Sequence, residues 1–508
     1  MTIAPVSYLT PTSNLSIRKV VQYLLGPNAV AGDEDGHGTH VSGSAAGYNK
    51  GTTIGVNTYN GMAPGAKIAF VDIGKADGTY SIPSNVSILW VPGYNIGARI
   101  STNSWSTKSN VYAFGDLTVD EFMYYRNDIL VLFAGQNWSN YGKQTNTVTS
   151  QGLSKNGMQV GSAQNYYSSN NLTPANFTRV SYFSPIGPTD DGRIKPDVVG
   201  SGQLLNSANF NTACGVILKQ GTSMATPHIA GAATLVRDYY VNGWYPTGVK
   251  TALNAFNPSG ALIKATLINS AVAMKSFQNS ASCNTNVCAY NLPPPPNIYQ
   301  GWGRVVLSKV LRLNNAYYPI LYVKDNIPIA TNEIDVYKFT IVPRNTTQFE
   351  AFQCTLTWTD PPTTSASAVT VLNNLDLYAT KDADTKNATI YPNNLIRPDD
   401  KNNVEKIIIA QPTPLDVVTV RIKGKSITAT ATQQYAFVVT GTYVPAAWYC
   451  QDPRSTRPNI LYMTENCRRA CSTYSKNPIC CQSDAGDYCT IAQASDAYCI
   501  GIPKPNPC

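Results

Sequence analysis

GTSMATPHIAGAATLVRDYY, from Gly221 to Tyr240, is the stretch on which the architecture turns. A turn of small residues delivers Ser223 to the first turn of a helix whose body is small and apolar, with Ala225, Ala230, Gly231, Ala232, Ala233, Leu235 and Val236. Such a helix can be buried on every side. Unpaired backbone N–H groups at a helix start stabilise negative charge on a reacting carbonyl, so the position suits a nucleophilic serine. Pro227 is expected inside the first helical turn, where its missing N–H costs nothing. By spacing alone, an ordinary capped core helix explains the stretch equally well.

Upstream, Asp35-Gly36-His37-Gly38-Thr39-His40-Val41-Ser42-Gly43 sets a histidine between glycines ahead of another run of small residues. A serine nucleophile needs a partner to take its proton, and imidazole is the usual one near neutral pH. The chain has only three histidines, His37, His40 and His228, and all lie inside these two motifs. GHGTHVSG together with GTSMATPH resembles the subtilisin-like serine proteases, the subtilases. The resemblance implies that His37 is the general base and Ser223 the nucleophile, with His40 and His228 structural.

Further segments extend the likeness. Gly61 to Gly74 (GMAPGAKIAFVDIG) sets a Pro-Gly turn before an apolar run, as a buried parallel strand requires. Ala98 to Ser106 (ARISTNSWS) resembles the subtilase strand that pairs with extended substrate, which puts Ser104, Trp105 and Ser106 at substrate-binding positions. The family usually has glycine where Ser106 stands. Asp128 to Asn137 (DILVLFAGQN) is an apolar strand ending at the asparagine whose side-chain amide, in subtilases, stabilises the oxyanion. Gln136 replaces the customary glycine before it. Asn137 also heads the sequon Asn137-Trp138-Ser139; a glycan would occupy the same amide, so Asn137 is expected to be unmodified in active protein. Phe183 to Gly202 matches a scaffolding segment, Pro258 to Met274 reads as a helix, and Gly301 to Leu311 matches the close of such a catalytic domain.

The 508 residues exceed what one core serves, since cores stop growing beyond roughly 250 to 300 residues. The expected division is a subtilisin-like peptidase domain at 1–313, a β-sandwich of jelly-roll type at 314–445 and a disulfide-rich tail at 446–508. The fold class is therefore an α/β doubly wound parallel sheet followed by an all-β domain. Asp335 to Val342, Cys354 to Thr359, Val417 to Ile422 and Tyr435 to Thr440 alternate apolar and polar residues with period two. LTWTDPP, VLNNLDLYAT, DDKNNVEKIII and QQYAFVVTG resemble the C-terminal β-domain of one subtilase branch, which has bacterial alkaline and amoebal members. Some relatives bind calcium there, which makes Asp376, Asp399 and Asp400 candidate ligands for a structural calcium; turn carboxylates that are merely solvated are the competing explanation. No other cofactor is required.

Net charge is +8, yet the basic residues are scattered, so nothing points to nucleic acid. No apolar run reaches the roughly 18 residues of a membrane helix. Of 12 cysteines, Cys450, Cys467, Cys471, Cys480, Cys481, Cys489, Cys499 and Cys508 crowd the end of the chain. That density reads as a disulfide module and hence a secreted or lumenal location. Zinc is the weaker alternative, because the segment lacks histidine and paired CxxC knuckles. Sequons at Asn14, Asn85, Asn171, Asn176, Asn345 and Asn387 are compatible with secretion. The opening MTIAPVSYLTPTSNLSIRKV has no basic and apolar leader pattern. Cys283 and Cys288 are expected to pair, and Cys354, in phase with Leu356 and Trp358, to be a buried free thiol.

One expected residue has no counterpart. Subtilases orient the histidine with an aspartate on a strand well upstream, whereas only 36 residues precede His37 and the aspartates among them, Asp33 and Asp35, sit in its own loop. Asp72 is a distant candidate that no motif supports. The expectation is a serine endopeptidase acting on protein and peptide substrates through an acyl-enzyme, weak or inactive as written, the downstream part of a longer protease or a degenerate copy. The alternative is a non-catalytic, subtilase-derived binding or structural protein, recognising its partner through the β-domain and tail.

Overall fold

The computed structural model describes residues 19–33, 35–49, 59–137, 144–165, 178–280, 289–313, 320–341, 350–364, 370–382, 388–413 and 416–445, with backbone segments at 478–483, 486–491 and 506–507. The paired-cysteine expectation at Cys283 and Cys288 and the disulfides of the tail lie outside the described residues. The tail backbone contributes a three-stranded antiparallel sheet.

Strand β1 (Val20–Leu25), helix α1 (His37–Ala46) and strand β2 (Ile68–Asp72) form a β-α-β unit with parallel strands. The stretch before the histidine motif is thus a strand. Helix α2 (Val91–Asn95), strand β3 (Ile100–Asn103), helix α3 (Phe114–Tyr125), strand β4 (Leu130–Ala134) and strand β5 (Met158–Gln164) follow. β3, β4 and β5 are parallel, and past the short β6 (Arg179–Val180) strand β7 (Val198–Gln203) lies parallel to β5. β4 is buried at every residue, as a strand covered on both faces must be, and its sequence LVLFA has no polar side chain to strand there. β8 (Leu205–Ala208) and β9 (Val216–Lys219) form a hairpin beside α1.

Helix α4 (Thr222–Val241) lies under the sheet, touching β3, β4, β5 and β7, and α5 (Gly260–Asn269) follows it. β10 (Ser276–Gln278) and β11 (Ala289–Asn291) complete one edge, where the sheet departs from the all-parallel expectation: β6 is antiparallel to β5 and β11 to β10. Mixed edges on otherwise parallel sheets are common.

The second half is a sandwich of two four-stranded antiparallel sheets. One holds β12 (Ile320–Ile329), β14 (Phe352–Trp358), β16 (Val404–Ile409) and β18 (Gln433–Gly441); the other holds β13 (Ile334–Ile341), β15 (Asn373–Lys381), β17 (Val417–Ile427) and β19 (Tyr443–Pro445). Their inner faces share one core in which Phe339 meets Phe352 and Tyr443 tilted or edge-on, at ring separations of 5.4 and 4.9 Å. Cys354 is a buried free thiol, and burial pushes its ionisation up.

The halves are joined through buried polar groups. All ten residues of α5 are buried, and its last carbonyls are met by Lys406 Nζ from β16, 2.9 Å from Ile268 O. Asn269 donates to Thr440 Oγ1 at 2.8 Å and accepts from Thr355 Oγ1 at 3.0 Å. Lys155, fully buried, ion-pairs with Asp360 and donates to Pro361 O and, at 2.5 Å, Thr370 O. Among the described residues no helix is long and apolar enough to cross a membrane.

The sheet is interrupted once. The β1–β2 pair and the sheet ending at β3 are separate, so one edge of β2 and one edge of β3 have no strand partner among the described residues.

Candidate active site

Ser223 is the second residue of α4 and half-buried. The helix is entered through Gly221 at φ 150°, and a Cβ there would stand 3.0 Å from Asn137 Nδ2, so only glycine fits the close approach. Pro227 lies at the sixth helical position, a turn deeper than the sequence suggests. Its absent N–H would have bonded the Ser223 carbonyl. That carbonyl instead accepts from Ser104 Oγ at 2.7 Å, while Ser223 Oγ donates back to Ser104 O at 3.2 Å. A gap in the helix ladder is thereby converted into a double clasp that ties the serine to the end of β3.

Ser104→Ala removes half of that clasp and strands a carbonyl. It is expected to lower kcat about tenfold, the scale of one hydrogen bond, with KM little changed. Ser104→Thr, which keeps the hydroxyl, is expected to retain most of the rate; steady-state kinetics of the two variants checks this.

Asn137 is exposed just past β4, and its Oδ1 accepts from Thr222 N at 2.7 Å and Thr222 Oγ1 at 3.0 Å. With the carbonyl end anchored, the Nδ2 hydrogens form the outward end of the amide. Gln136, unexpected at its position, turns its Oε1 back to accept from Asn137 N at 3.2 Å and so closes the loop locally. Trp105 packs edge-on against Phe133 at 5.3 Å and Ser106 Oγ accepts from Thr149 at 3.1 Å. His37, Ser104, Trp105, Ser106, Asn137 and Ser223 all line one cavity of about 520 Å³.

His37 opens α1 and is half-buried. Burial, reinforced by Lys219, outweighs Asp35 and Asp33 and holds its pKa below the usual 6.5, so the ring is neutral at neutral pH. Among the described residues, the nearby aspartates are engaged elsewhere. Asp33 accepts from Gly38 N at 3.1 Å and Thr39 N at 2.5 Å, and Asp35 from His37 N at 2.8 Å, so the two cap the helix rather than orient the ring. Asp72 accepts from Tyr23 Oη at 2.5 Å and Gly74 N at 2.9 Å. No described carboxylate hydrogen-bonds the His37 imidazole. His40 Nε2 sits 3.1 Å from both Leu205 O and Ile217 O, fully buried, and His228 Nδ1 is 3.0 Å from Ser201 O. Both hold backbone.

Asp376, Asp399 and Asp400 do not converge: no group of three or more His, Cys, Asp or Glu side chains among the described residues could hold a metal ion. Asp399 serves as a turn hub, accepting from Lys401 N, Asn402 N and Asn393 Nδ2, and Lys425 faces Asp376 and Asp400 at 3.8 and 3.4 Å. The charge expected from calcium is here supplied in part by a lysine. Sequence reasoning missed the Ser104 clasp and the capping by Asp33. The signal for the first was present, a proline whose four-residue offset falls on the serine of the motif.

A model described as the subtilase family matches residues 21–303. "Serine protease/ABC transporter B family protein tagD" of Dictyostelium discoideum is 29% identical over 553 residues, covering 85% of this chain and 29% of that protein. Pyrolysin of Pyrococcus furiosus is 28% identical over 256 residues, 42% of this chain and 18% of its own length. Subtilisin BL of Lederbergia lenta is 28% identical over 233 residues, 44% of this chain and 71% of its length. The chain spans less than a third of the length of the Dictyostelium relatives it matches.

Proposed function

The chain belongs to the subtilase family, and from that premise we propose that it is a serine endopeptidase whose nucleophile is Ser223 and whose base is His37. The observation that carries this is a single cavity lined by the half-buried serine at a helix start, a neutral imidazole and an amide anchored by its carbonyl end. Ser223 Oγ adds to the scissile carbonyl as His37 takes its proton; Asn137 Nδ2 and the Ser223 N–H hold the oxyanion. His37 then protonates the leaving amine, and water repeats the sequence on the acyl-enzyme. Substrate lies extended along Ser104, Trp105 and Ser106. The sandwich is read as a jelly roll and the tail as a disulfide module, in a secreted or lumenal protein.

With no described carboxylate hydrogen-bonded to the His37 ring, the reading makes the catalyst of this chain a weak one. In a subtilisin the aspartate alone is worth about 3 × 10⁴ in kcat and the whole triad about 2 × 10⁶. The quotient leaves roughly 10² for serine and histidine acting unaided. Ser223→Ala is therefore expected to lower hydrolysis of an unstructured protein substrate about 10²-fold, not 10⁶-fold. Unchanged hydrolysis in that variant would support the other reading, a non-catalytic binding protein, which the Ser223 hydroxyl turned toward Ser104 favours.

A further inference from the structure

The parallel sheet has two ends, and the one away from the serine carries an excess of positive charge. Ser104 and Asn137 lie past the C-terminal ends of β3 and β4, whereas Arg99 and Asp128 lie just before the N-terminal ends of the same strands. At about 3.3 Å per residue, the chain from Arg99 to Ser104 sets the two ends roughly 16 Å apart. The charged end is therefore distinct from the cavity of the active site.

Three guanidiniums gather there around one tyrosine. Arg99 Cζ stands 3.9 Å and Arg126 Cζ 5.5 Å from the centre of the Tyr94 ring, and Arg126 Cζ is also 4.6 Å from the centre of Phe122. Arg237, from α4, is the third: burial and then the charge of Arg99 lower its ionisation, while Asp128 and Tyr94 oppose the shift. Among the described residues Asp128 is the one carboxylate ion-paired with any of the three. Its Oδ2 accepts from Arg99 Nε at 2.6 Å and its Oδ1 from Tyr94 Oη at 2.7 Å. Against burial, those bonds and the charges of Arg99 and Arg237 hold it below the usual carboxylate range, so it is ionised. Three cations face one anion, which leaves an excess of two positive charges.

The donors left over define the ligand. Arg99 is committed, its Nε to Asp128 and its Nη1 to Tyr94 O and Ala98 O, both at 2.9 Å. Arg126 is held by ring faces, and its guanidinium has no acceptor among the described residues. Arg237 Nη2 meets Asn257 Oδ1 only at 3.4 Å, and its Nη1 is buried with no acceptor among the described residues. A buried donor without a partner is costly, and in native structures it marks an ion or a water that satisfies it. We propose that Arg126 and Arg237, backed by Arg99, bind a tetrahedral dianion, a phosphate or sulfate group, at the N-terminal edge of the sheet. A dianion matches the excess of two charges, and oxygens set at tetrahedral angles can meet guanidiniums that arrive from two different elements. The site does not depend on the chemistry assigned to Ser223 and His37.

The test is calorimetric titration of the full chain, carrying Ser223→Ala to prevent self-cleavage, with inorganic phosphate in its dianionic form at an ionic strength fixed with sodium chloride. One site per chain is expected, and acetate, a monoanion, is expected to bind about tenfold or more weakly. Arg126→Gln breaks no side-chain hydrogen bond among the described residues, so the variant is expected to fold; it is expected to weaken phosphate binding about tenfold or more, the scale of a charge-assisted hydrogen bond. Arg237→Gln is expected to do the same. Lys108→Gln removes an exposed cation elsewhere and is expected to leave binding unchanged. Phenyl phosphate separates the sources: tighter binding than the free ion assigns the site to a phosphate ester, equal or weaker binding to the free ion. No binding at millimolar phosphate, acetate binding as well as phosphate, undiminished binding in both arginine variants, or an equal loss in Lys108→Gln would each overturn the proposal.

Discussion

Changing Asp360 to alanine is expected to lower the free energy of unfolding by about 3–5 kcal/mol, the cost of removing one member of a buried ion pair. Lys155 and Asp360 are both fully buried, and every described partner of the Lys155 ammonium belongs to the segment 360–370 of the sandwich. Asp360 also accepts from Leu372 N and Asn373 N at 2.8 Å, so its loss strands a cation and two backbone donors at once. Such a pair gives little net attraction after desolvation, but breaking it leaves a charge without solvent. Because the pair spans the two halves, the sandwich and the α/β domain are expected to part company in the variant. Urea unfolding monitored by tryptophan fluorescence checks this: a lowered midpoint, or one transition split into two, is the expected result, and an unshifted curve would show that the pair does not bind the halves.

Asn137→Ala is expected to lower kcat by about 10² to 10³ while leaving KM nearly unchanged, the scale measured for one oxyanion donor in a subtilisin. The side chain has two jobs that the variants separate. Its Oδ1 accepts from Thr222 N at the start of α4, and its Nδ2 is the donor the proposed oxyanion hole uses in a cavity that Asn137 lines. Asn137→Asp keeps an acceptor for Thr222 while replacing the donor with negative charge, so it is expected to preserve thermal stability yet lose at least as much kcat as alanine. Equal losses of stability and rate in the two variants would reduce Asn137 to a helix-start anchor.

Much of this arrangement is visible in the sequence because it is written in short-range chemistry. The apolar run LVLFA declares a strand buried on both faces, and period-two alternation in residues 335–341 declares a sandwich strand, whereas 435–440 (YAFVVT) does not alternate because α5 covers the other face of β18 and buries all six residues. His37 and Ser223 stand out because glycine and small residues flank them where close approach demands it. The departures are of another kind. Pro227 reads as a first-turn residue because motif spacing does not say where a helix begins, and α4 starts at Thr222 only because Gly221 turns there at positive φ. The role of Asp33 depends on a loop folding back on α1, and the neutral partners of Asp399 depend on a turn assembled from residues 393 to 402. Side-chain commitments of this sort are decided by tertiary approach, so the acidic residues alone do not distinguish a cap, a turn hub and a metal ligand. That no described carboxylate reaches the His37 ring, and that β2 and β3 each keep one edge without a described partner, emerges only once the loops and strands are placed.

The central claim is that Ser223 is a nucleophile activated by His37. It is tested most directly by treating the full chain with a serine-directed fluorophosphonate and mapping the adduct by peptide mass spectrometry. The account predicts one phosphonylated residue, Ser223, with no labelling in Ser223→Ala and slower labelling in His37→Ala. Labelling that leaves Ser223 unmodified, or that proceeds at the same rate without His37, would contradict it.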